Sequence, residues 1–448
     1  MDWLLDTPLA LRLAVVFVVA AGLASLLNAA IYHWAWDRRL FSPWQPRADG
    51  ASPRSWRDWV PILGWLRLRR DSKLHGRGFW VRPLLIEIGF AAAVAALYWW
   101  EVERLALIAP QVARLAGTMP LDPAPLAWAT HTQFLAHTML GALMTVATFI
   151  DFDERLIPDE VTRRGTLAGL VLVAITPLAL PPVVTDQPVA PELGIAVIDT
   201  AGNAVANANG ALSVIPTHLA APTPWPASLD ATPTSLAIGL GCFWLWCFAL
   251  TDRHWPHAGA FGRKLKLVAR RIVRDLTTSP LRESLAGGTA LVLGVWWFGG
   301  PRWMGLLSSL VGLAACGLLV WAVRIIGGAV MRREAMGFGD VTLMMMVGVY
   351  TGWQAGPIIF FLAPLAGIFL GVLNLLVHGD KAIPYGPFLC LATVFVLLIW
   401  APLWMWAEPL LAFPALVPTV LVVCFALLAV LLAMLQGLKA LLGISGED

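Results

Sequence analysis

MGLLSSLVGLAACGLLVWAVRIIGG, residues 304–328, decides the class of this chain. It carries a single charge, Arg324, and it is long enough to cross a bilayer core, which takes roughly 20 apolar residues in a helix. Comparable runs recur at 9–32, 83–100, 132–151, 164–181, 233–250, 286–300, 341–352, 355–377, 387–404 and 411–436. Of 448 residues, 58% are apolar and only 13% charged, with a net charge of +3. That leaves too little polar surface for a soluble domain. Backbone groups in lipid have to be satisfied within helices. The expected fold is therefore an all-α polytopic membrane protein with about eleven transmembrane helices.

Lys and Arg in the loops give an orientation. Segment 37–83 carries eleven of them, segment 251–284 carries eight, and segment 182–232 carries none. The basic segments are expected on the cytoplasmic side. The proline-rich and small-polar segment (PPVVTDQPVAPELG, NAVANANG, APTPWPAS) is expected outside. Asp2 and Asp6 replace the basic start of a cleavable signal, so the run from Leu9 reads as a first span that stays in place. Cys242, Cys247, Cys316, Cys390 and Cys424 all lie in apolar stretches and read as small buried hydrophobes. Trp34, Trp36, Trp99, Trp100, Trp303 and Trp400 lie near span ends, where interface belts account for them. Gly165–Gly169 and Gly367–Gly371 have the spacing of close helix packing. The basic run 263–274 lies beside a bilayer and reads as meeting anionic lipid rather than nucleic acid.

Acidic residues at membrane depth are costly and face polar interiors. Two segments stand out. In TFIDFDERLIPDEVT, 148–162, an apolar helix runs into Asp151, and Pro158 then restricts its continuation. In AMGFGDVTL, 335–343, Gly337 and Gly339 precede Asp340 and an apolar helix follows. Glycines there let another backbone approach closely. The orientation above puts Asp151 and Asp340 at one face, with Arg163, Arg164, Arg332 and Arg333 beside them. Two aspartates that share a proton can activate water without a metal or a nucleophilic side chain. A solvated helix end is the plain alternative for either one alone. His131 and His137 are six residues apart, on different helix faces, and read as structural rather than metal-binding.

These stretches resemble the prepilin peptidase family, the GxGD aspartic membrane peptidases. IDFDERLIPDEVT is similar to the family's first aspartate motif, MGFGDVTLM to its GxGD motif, and AIPYGPFLCLA (382–392) to its Ile-Pro-Phe-Gly-Pro-Phe stretch. SLLNAAIY (25–32) resembles the Asn-containing end of the family's first helix, and DWVPILGWLRLR (58–69) and RPLLIE (82–87) resemble the segments framing its cytoplasmic domain. The resemblance covers 1–181 and 304–404. It implies a GxGD peptidase-like helical bundle with Asp151 and Asp340 as the catalytic pair, supported by Gly337, Gly339, Pro158 and Asp159. Asp153 and Asp159 are alternatives for the first aspartate. The dipoles of the flanking helices favour a protonated Asp151 and a charged Asp340.

The resemblance implies five regions: a first helix (1–36), a basic cytoplasmic domain (37–82), a transmembrane region with the first motif (83–181), an insertion (182–303) and a transmembrane region with the GxGD motif (304–448). Many relatives carry two cysteine pairs in the basic domain, and this chain has no cysteine there, so zinc is not expected. Proteolysis would need no cofactor. S-adenosylmethionine would enter only if the family's N-methylation of the cleaved product is retained. The implied partners are prepilins or pseudopilins and the lipid bilayer, with no nucleic acid. The implied location is the bacterial inner membrane, multi-pass, with the site toward the cytoplasm. The rival readings are a transporter or channel with both aspartates in a polar path, and an inactive assembly scaffold.

Overall fold

The computed structural model describes residues 7–108, 123–185, 192–196, 214–220, 225–251, 261–331, 336–378, 384–411, 413 and 415–441. The expected flanking residues Arg332 and Arg333, and the acidic start at Asp2 and Asp6, lie outside them. The chain forms two compact units: Met1–Val161 with Pro182–Ala220, and Thr162–Pro181 with Ala221–Asp448.

Three long apolar helices build the first unit: α1 (Leu9–Trp34), α2 (Val81–Tyr98) and α3 (Pro123–Glu154). Ala20 and Ala21 of α1 meet Ala91 and Val94 of α2 in a buried cluster, and side chains this small let two helix backbones approach closely. A π-helical turn, Trp99–Glu103, ends α2 and brings buried Glu101 within 2.6 Å of His137 Nδ1 on α3. His131 lies 3.2 Å from the Tyr98 hydroxyl. Both histidines therefore have the structural partners expected of them. Three short strands, β1 (Val183–Thr185), β2 (Glu192–Ala196) and β3 (Val214–Ala220), form an antiparallel sheet in the order β1-β3-β2. Val183 stands opposite Ala220, and Glu192 opposite His218. The sheet falls in the segment read as an outside loop.

Between α1 and α2 the basic region folds into short helical turns, Trp56–Asp58, Leu63–Leu68, Arg69–Asp71 and Ser72–His75. Buried carboxylates tie them together. Asp58 accepts from the Ser55 N–H at 2.7 Å, from Arg70 at 2.7 Å and from Arg67 at 3.2 Å. Asp71 accepts from the Ser52 N–H at 3.1 Å and lies 3.6 Å from Arg54. His75 packs between Phe41 and Phe79, and burial lowers its pKa. Among the described residues no group of three or more His, Cys, Asp or Glu is arranged to hold a metal ion.

Burial works to raise the Asp58 pKa. The Ser55 N–H and the two arginines outweigh it and hold the carboxyl below its ordinary 3.8. A carboxyl with a depressed folded pKa contributes stability that is complete above its unfolded pKa and is lost as pH falls through the folded one. The basic region should accordingly resist limited proteolysis equally at neutral pH and at about pH 5. It should become susceptible as pH falls below about 4. Asp58→Asn should be susceptible at neutral pH already.

The second unit holds α4 (Asp159–Ile175, of which Thr162 onward belongs to this unit), α5 (Pro233–Ala249), α6 (Phe261–Thr277), α7 (Leu281–Phe298), α8 (Gly300–Met331), α9 (Phe338–His378), α10 (Gly386–Leu398), α11 (Trp400–Leu411) and α12 (Leu416–Leu441). Glycines bring α8 and α9 into backbone contact. A Cβ at Gly312 would lie 2.3 Å from the Gly348 carbonyl oxygen, and one at Gly348 would lie 2.3 Å from that of Gly312. Ser309 donates to the Val349 carbonyl at 2.7 Å. Tyr350 donates to the Gly165 carbonyl at 2.9 Å, and Gly169 packs against Val349 and Tyr350. The Gly165–Gly169 pair thus marks close packing, as its spacing suggests, and Gly367 packs against Phe388.

Six of the described helices are long and apolar enough to span a membrane, or up to seven if the α10–α11 pair, bent by 91°, is one broken span. Among the described residues the expected count of about eleven is not confirmed. The runs 341–352 and 355–377 are two helical segments of α9 that meet at a kink, where Gly352 is non-helical (φ 74°), and they fall within one candidate span. Runs 164–181 and 233–250 yield helices of 17 residues each. Run 286–300 lies in α7, whose first turn holds Arg282 and Glu283.

Candidate active site

The first aspartate motif closes α3. Ile150 and Ile157 are buried on either side of the turn that follows. Arg155 ends the helix in the left-handed conformation (φ 55°), and its N–H bonds the Asp151 carbonyl at 2.8 Å. Pro158 and Asp159 then open α4. Of the five acidic residues at this corner, Asp153, Glu154 and Asp159 stand in surroundings unlike those of Asp151. Asp153 forms a two-pronged pair with Arg82, both contacts 2.8 Å, while Arg82 also bonds the Phe149 carbonyl. Glu154 accepts from the N–H groups of Trp36 and Asp37 at 2.8 and 2.9 Å, fastening the chain as it leaves α1. Asp159 is exposed in the first turn of α4, where the helix dipole favours an acid. Asp151 differs from all three in being only 4% exposed.

In the second unit, Asp340 sits in the first turn of α9 and is 7% exposed. The segment leading into it is anchored from α8. Arg324 Nε donates to the Met336 carbonyl at 3.0 Å, and its guanidinium lies 5.6 Å from the centre of the Phe338 ring. Trp321 meets that ring edge-on at 5.8 Å. Thr342 bonds back to the Gly339 carbonyl at 3.1 Å. Gly337 is exposed, and a Cβ there would meet little beyond the Asp340 carboxylate at 3.7 Å. The fold itself therefore does not demand a glycine at 337. An open backbone beside a buried carboxyl suits the approach of an extended chain.

Tyr385, from the stretch 382–392, is a neighbour that sequence reasoning did not single out. Burial raises its pKa, and the nearby Asp340 charge adds to the rise. Its signal lay in the quoted motif, without a stated role. Glu87 was missed in the same way. It is fully buried and accepts from Trp65 Nε1 at 2.7 Å, from the Ile62 N–H and from Asn28 at 3.4 Å. Asn28 also donates to the Pro83 carbonyl at 2.9 Å. Ile62, a β-branched residue at φ 67°, is held in a costly conformation by that bond. The stretches 25–32, 58–69 and 82–87 thus converge on a single carboxylate.

Comparison with known proteins bears out the resemblance. Residues 269–372 match the type IV leader peptidase family. The match includes Asp340 and begins within the segment read as an insertion, while Asp151 lies ahead of it. A prepilin leader peptidase/N-methyltransferase of Aeromonas hydrophila is 35% identical over 98 residues, which is 21% of this chain and 32% of the relative. One from Pseudomonas aeruginosa is 34% identical over 112 residues, 22% of this chain and 38% of the relative. One from Legionella pneumophila is 30% identical over 107 residues, 21% and 37% respectively. The matched part spans about a third of the length of these curated relatives. No solved structure matches.

Proposed function

We propose that this polytopic helical protein, similar over 269–372 to the type IV leader peptidases, is a membrane aspartic endopeptidase with Asp151 and Asp340 as its catalytic pair. It would remove the N-terminal leader of type IV prepilins or pseudopilins at the cytoplasmic face of the bacterial inner membrane. The observation that carries the reading is the buried carboxyl of Asp340 at the start of α9, beside the exposed backbone of Gly337 and inside the family match.

The dipole of α9 favours a charged Asp340, and the C-terminal end of α3 disfavours charge on Asp151. Asp340 then takes a proton from water, and the resulting hydroxide attacks the scissile carbonyl carbon. The Asp151 proton passes to the carbonyl oxygen as the tetrahedral intermediate forms. As the C–N bond breaks, the proton held by Asp340 moves to the leaving amine and one hydroxyl of the intermediate returns its proton to Asp151, which restores the starting pair. Gly337 and Gly339 leave room for the substrate strand, and Pro158 with Asp159 fixes the turn behind Asp151.

The relatives' names include N-methyltransferase, which calls for S-adenosylmethionine as methyl donor. The buried carboxylates in and beside the basic region do not fit a role in holding its ribose. Asp58 is bonded to two arginines and a backbone N–H, Asp71 accepts from the Ser52 N–H with Arg54 3.6 Å away, and Glu87 has three donors. No methylation step is assigned to them.

The test is to incubate the purified protein with a synthetic prepilin peptide and map the products by mass spectrometry. A single cut at the end of the basic leader is expected. An intact peptide, with the protein folded, overturns the reading. Within the first motif, Asp153→Asn should lose only the partly exposed Arg82 pair, worth about 0–1 kcal/mol, and keep most of the cleavage rate. Loss of all activity in that variant would move the first catalytic residue to 153.

A further inference from the structure

A cavity of about 680 Å³ lies in the second unit, lined by Trp244 of α5, Leu276 of α6, and Arg282, Ala286, Ala290 and Leu293 of α7 among others. Its wall is almost wholly apolar. Even the Thr289 hydroxyl is taken, accepting from Trp244 Nε1 at 3.2 Å. Arg282 is the one charged residue in the lining, is exposed, and has no ion-pair partner among the described residues.

The helix that leads to this cavity is α6. Phe261, Leu265, Val268, Ile272 and Leu276 recur at helical spacing, and Lys266, Arg270, Arg271 and Arg274 fall on the other side. A basic amphipathic helix of this kind lies in the plane of the membrane interface, its cations at the level of the headgroups. Its C-terminal Leu276 lines the cavity, so with α6 in the interface plane the mouth of the cavity, beside Arg282, would face the headgroups. From Arg282 to Leu293 along α7 the lining descends roughly 16 Å at the helical rise. That depth is about half of a 30 Å hydrocarbon core. The length of the lining is that of one leaflet's acyl region.

We propose that this cavity is a binding site for an anionic glycerophospholipid, with one acyl chain laid between α5 and α7 and its phosphate on Arg282. The apolar wall excludes a polar ligand, and the depth matches an acyl chain of a single leaflet. Charge supplies the selectivity. Arg282 offers a planar donor pair suited to phosphate. The cations of α6 add an attraction that a zwitterionic lipid does not gain. Of the acids nearby, Asp275 is bonded to Arg274, and Glu283 accepts from Ser279. The inference does not rest on the peptidase reading.

The test uses the full-length protein in mild detergent, mixed with equal amounts of phosphatidylglycerol and phosphatidylcholine of matched acyl chains. Retained lipid is counted by native mass spectrometry. Wild type should retain phosphatidylglycerol in preference. Arg282→Gln should lower that retention by about ten-fold, the change expected for one charge-assisted hydrogen bond. Ala290→Trp should lose retention of both lipids by filling the groove, and Ala286→Leu should weaken it by crowding the same wall. Both alanines are exposed, so the fold should survive the changes, and an unchanged elution volume checks this. Excess inorganic phosphate should leave the lipid in place, which separates a lipid site from a free-anion site. Equal retention of the two lipids by wild type overturns the proposal. So does undiminished phosphatidylglycerol in the Arg282 and Ala290 variants, or displacement by inorganic phosphate.

Discussion

Asp340→Asn should abolish leader cleavage while the protein inserts and elutes as wild type does. The amide cannot take a proton from water, and loss of a general base costs about 10²–10⁴-fold in rate. Asparagine is close to aspartate in shape, and Asp340 lies at a helix start whose fold is secured elsewhere. The Met336 carbonyl is tied to Arg324, Phe338 to Trp321, and Thr342 to Gly339. Asp151→Asn should be equally inactive, because no shared proton survives the change. The measurement is single-turnover cleavage of a prepilin peptide. If either variant still cuts at near the wild-type rate, the two-aspartate mechanism is wrong. Gly337→Ala gives a finer probe. Its added methyl meets the Asp340 carboxylate at an ordinary 3.7 Å, so thermal stability should be unchanged. Cleavage should fall through a raised KM if the substrate backbone passes there. An unaltered KM would remove Gly337 from the substrate path.

Gly348→Val should be the most damaging substitution in the second unit. A Cβ at that position would stand 2.3 Å from the Gly312 carbonyl oxygen and 2.6 Å from its carbon. Both are backbone atoms and cannot swing aside. Relief requires α8 and α9 to separate, which strains the Ser309–Val349 bond and the Tyr350–Gly165 bond with them. Overpacking of this kind costs about 1–3 kcal/mol or more, measurable as a lowered unfolding temperature in detergent. The N-terminal end of α9 carries Asp340, so cleavage should fall as well. A Gly348→Val protein with wild-type stability would show that the close crossing of α8 and α9 is not as tight as described.

Hydropathy made the class legible, since an apolar run such as 304–328 has no stable home but a membrane or a large core. It did less well at counting spans. The break at Gly352 does separate two helical segments, but they meet at a kink and fall within one candidate span, so two runs did not mean two crossings. A tally of basic residues described 263–274 as a charged loop. The recurrence of Phe261, Leu265, Val268, Ile272 and Leu276 at helical spacing was the overlooked sign of α6. At the candidate site, motif context put Asp151 and Asp340 forward. The partners that occupy its acidic neighbours were not legible there. Arg82 lies 71 residues from Asp153, and the Trp36 N–H lies 118 from Glu154. Pairings at that separation are set by folding rather than by local pattern.

The carboxylate of Glu87 has a bearing on how this protein can be rearranged. It joins a helix residue, Asn28, a backbone N–H at Ile62 and an indole at Trp65. These three donors come from stretches that a designer of chimeras would treat as separable parts. None of them can be exchanged alone without stranding a buried donor or the acid itself. The segments around residues 28, 62–65 and 83–87 should therefore transplant between related proteins only as a set. A crossover placed inside the basic region would divide the set, and one placed beyond residue 87 would keep it whole.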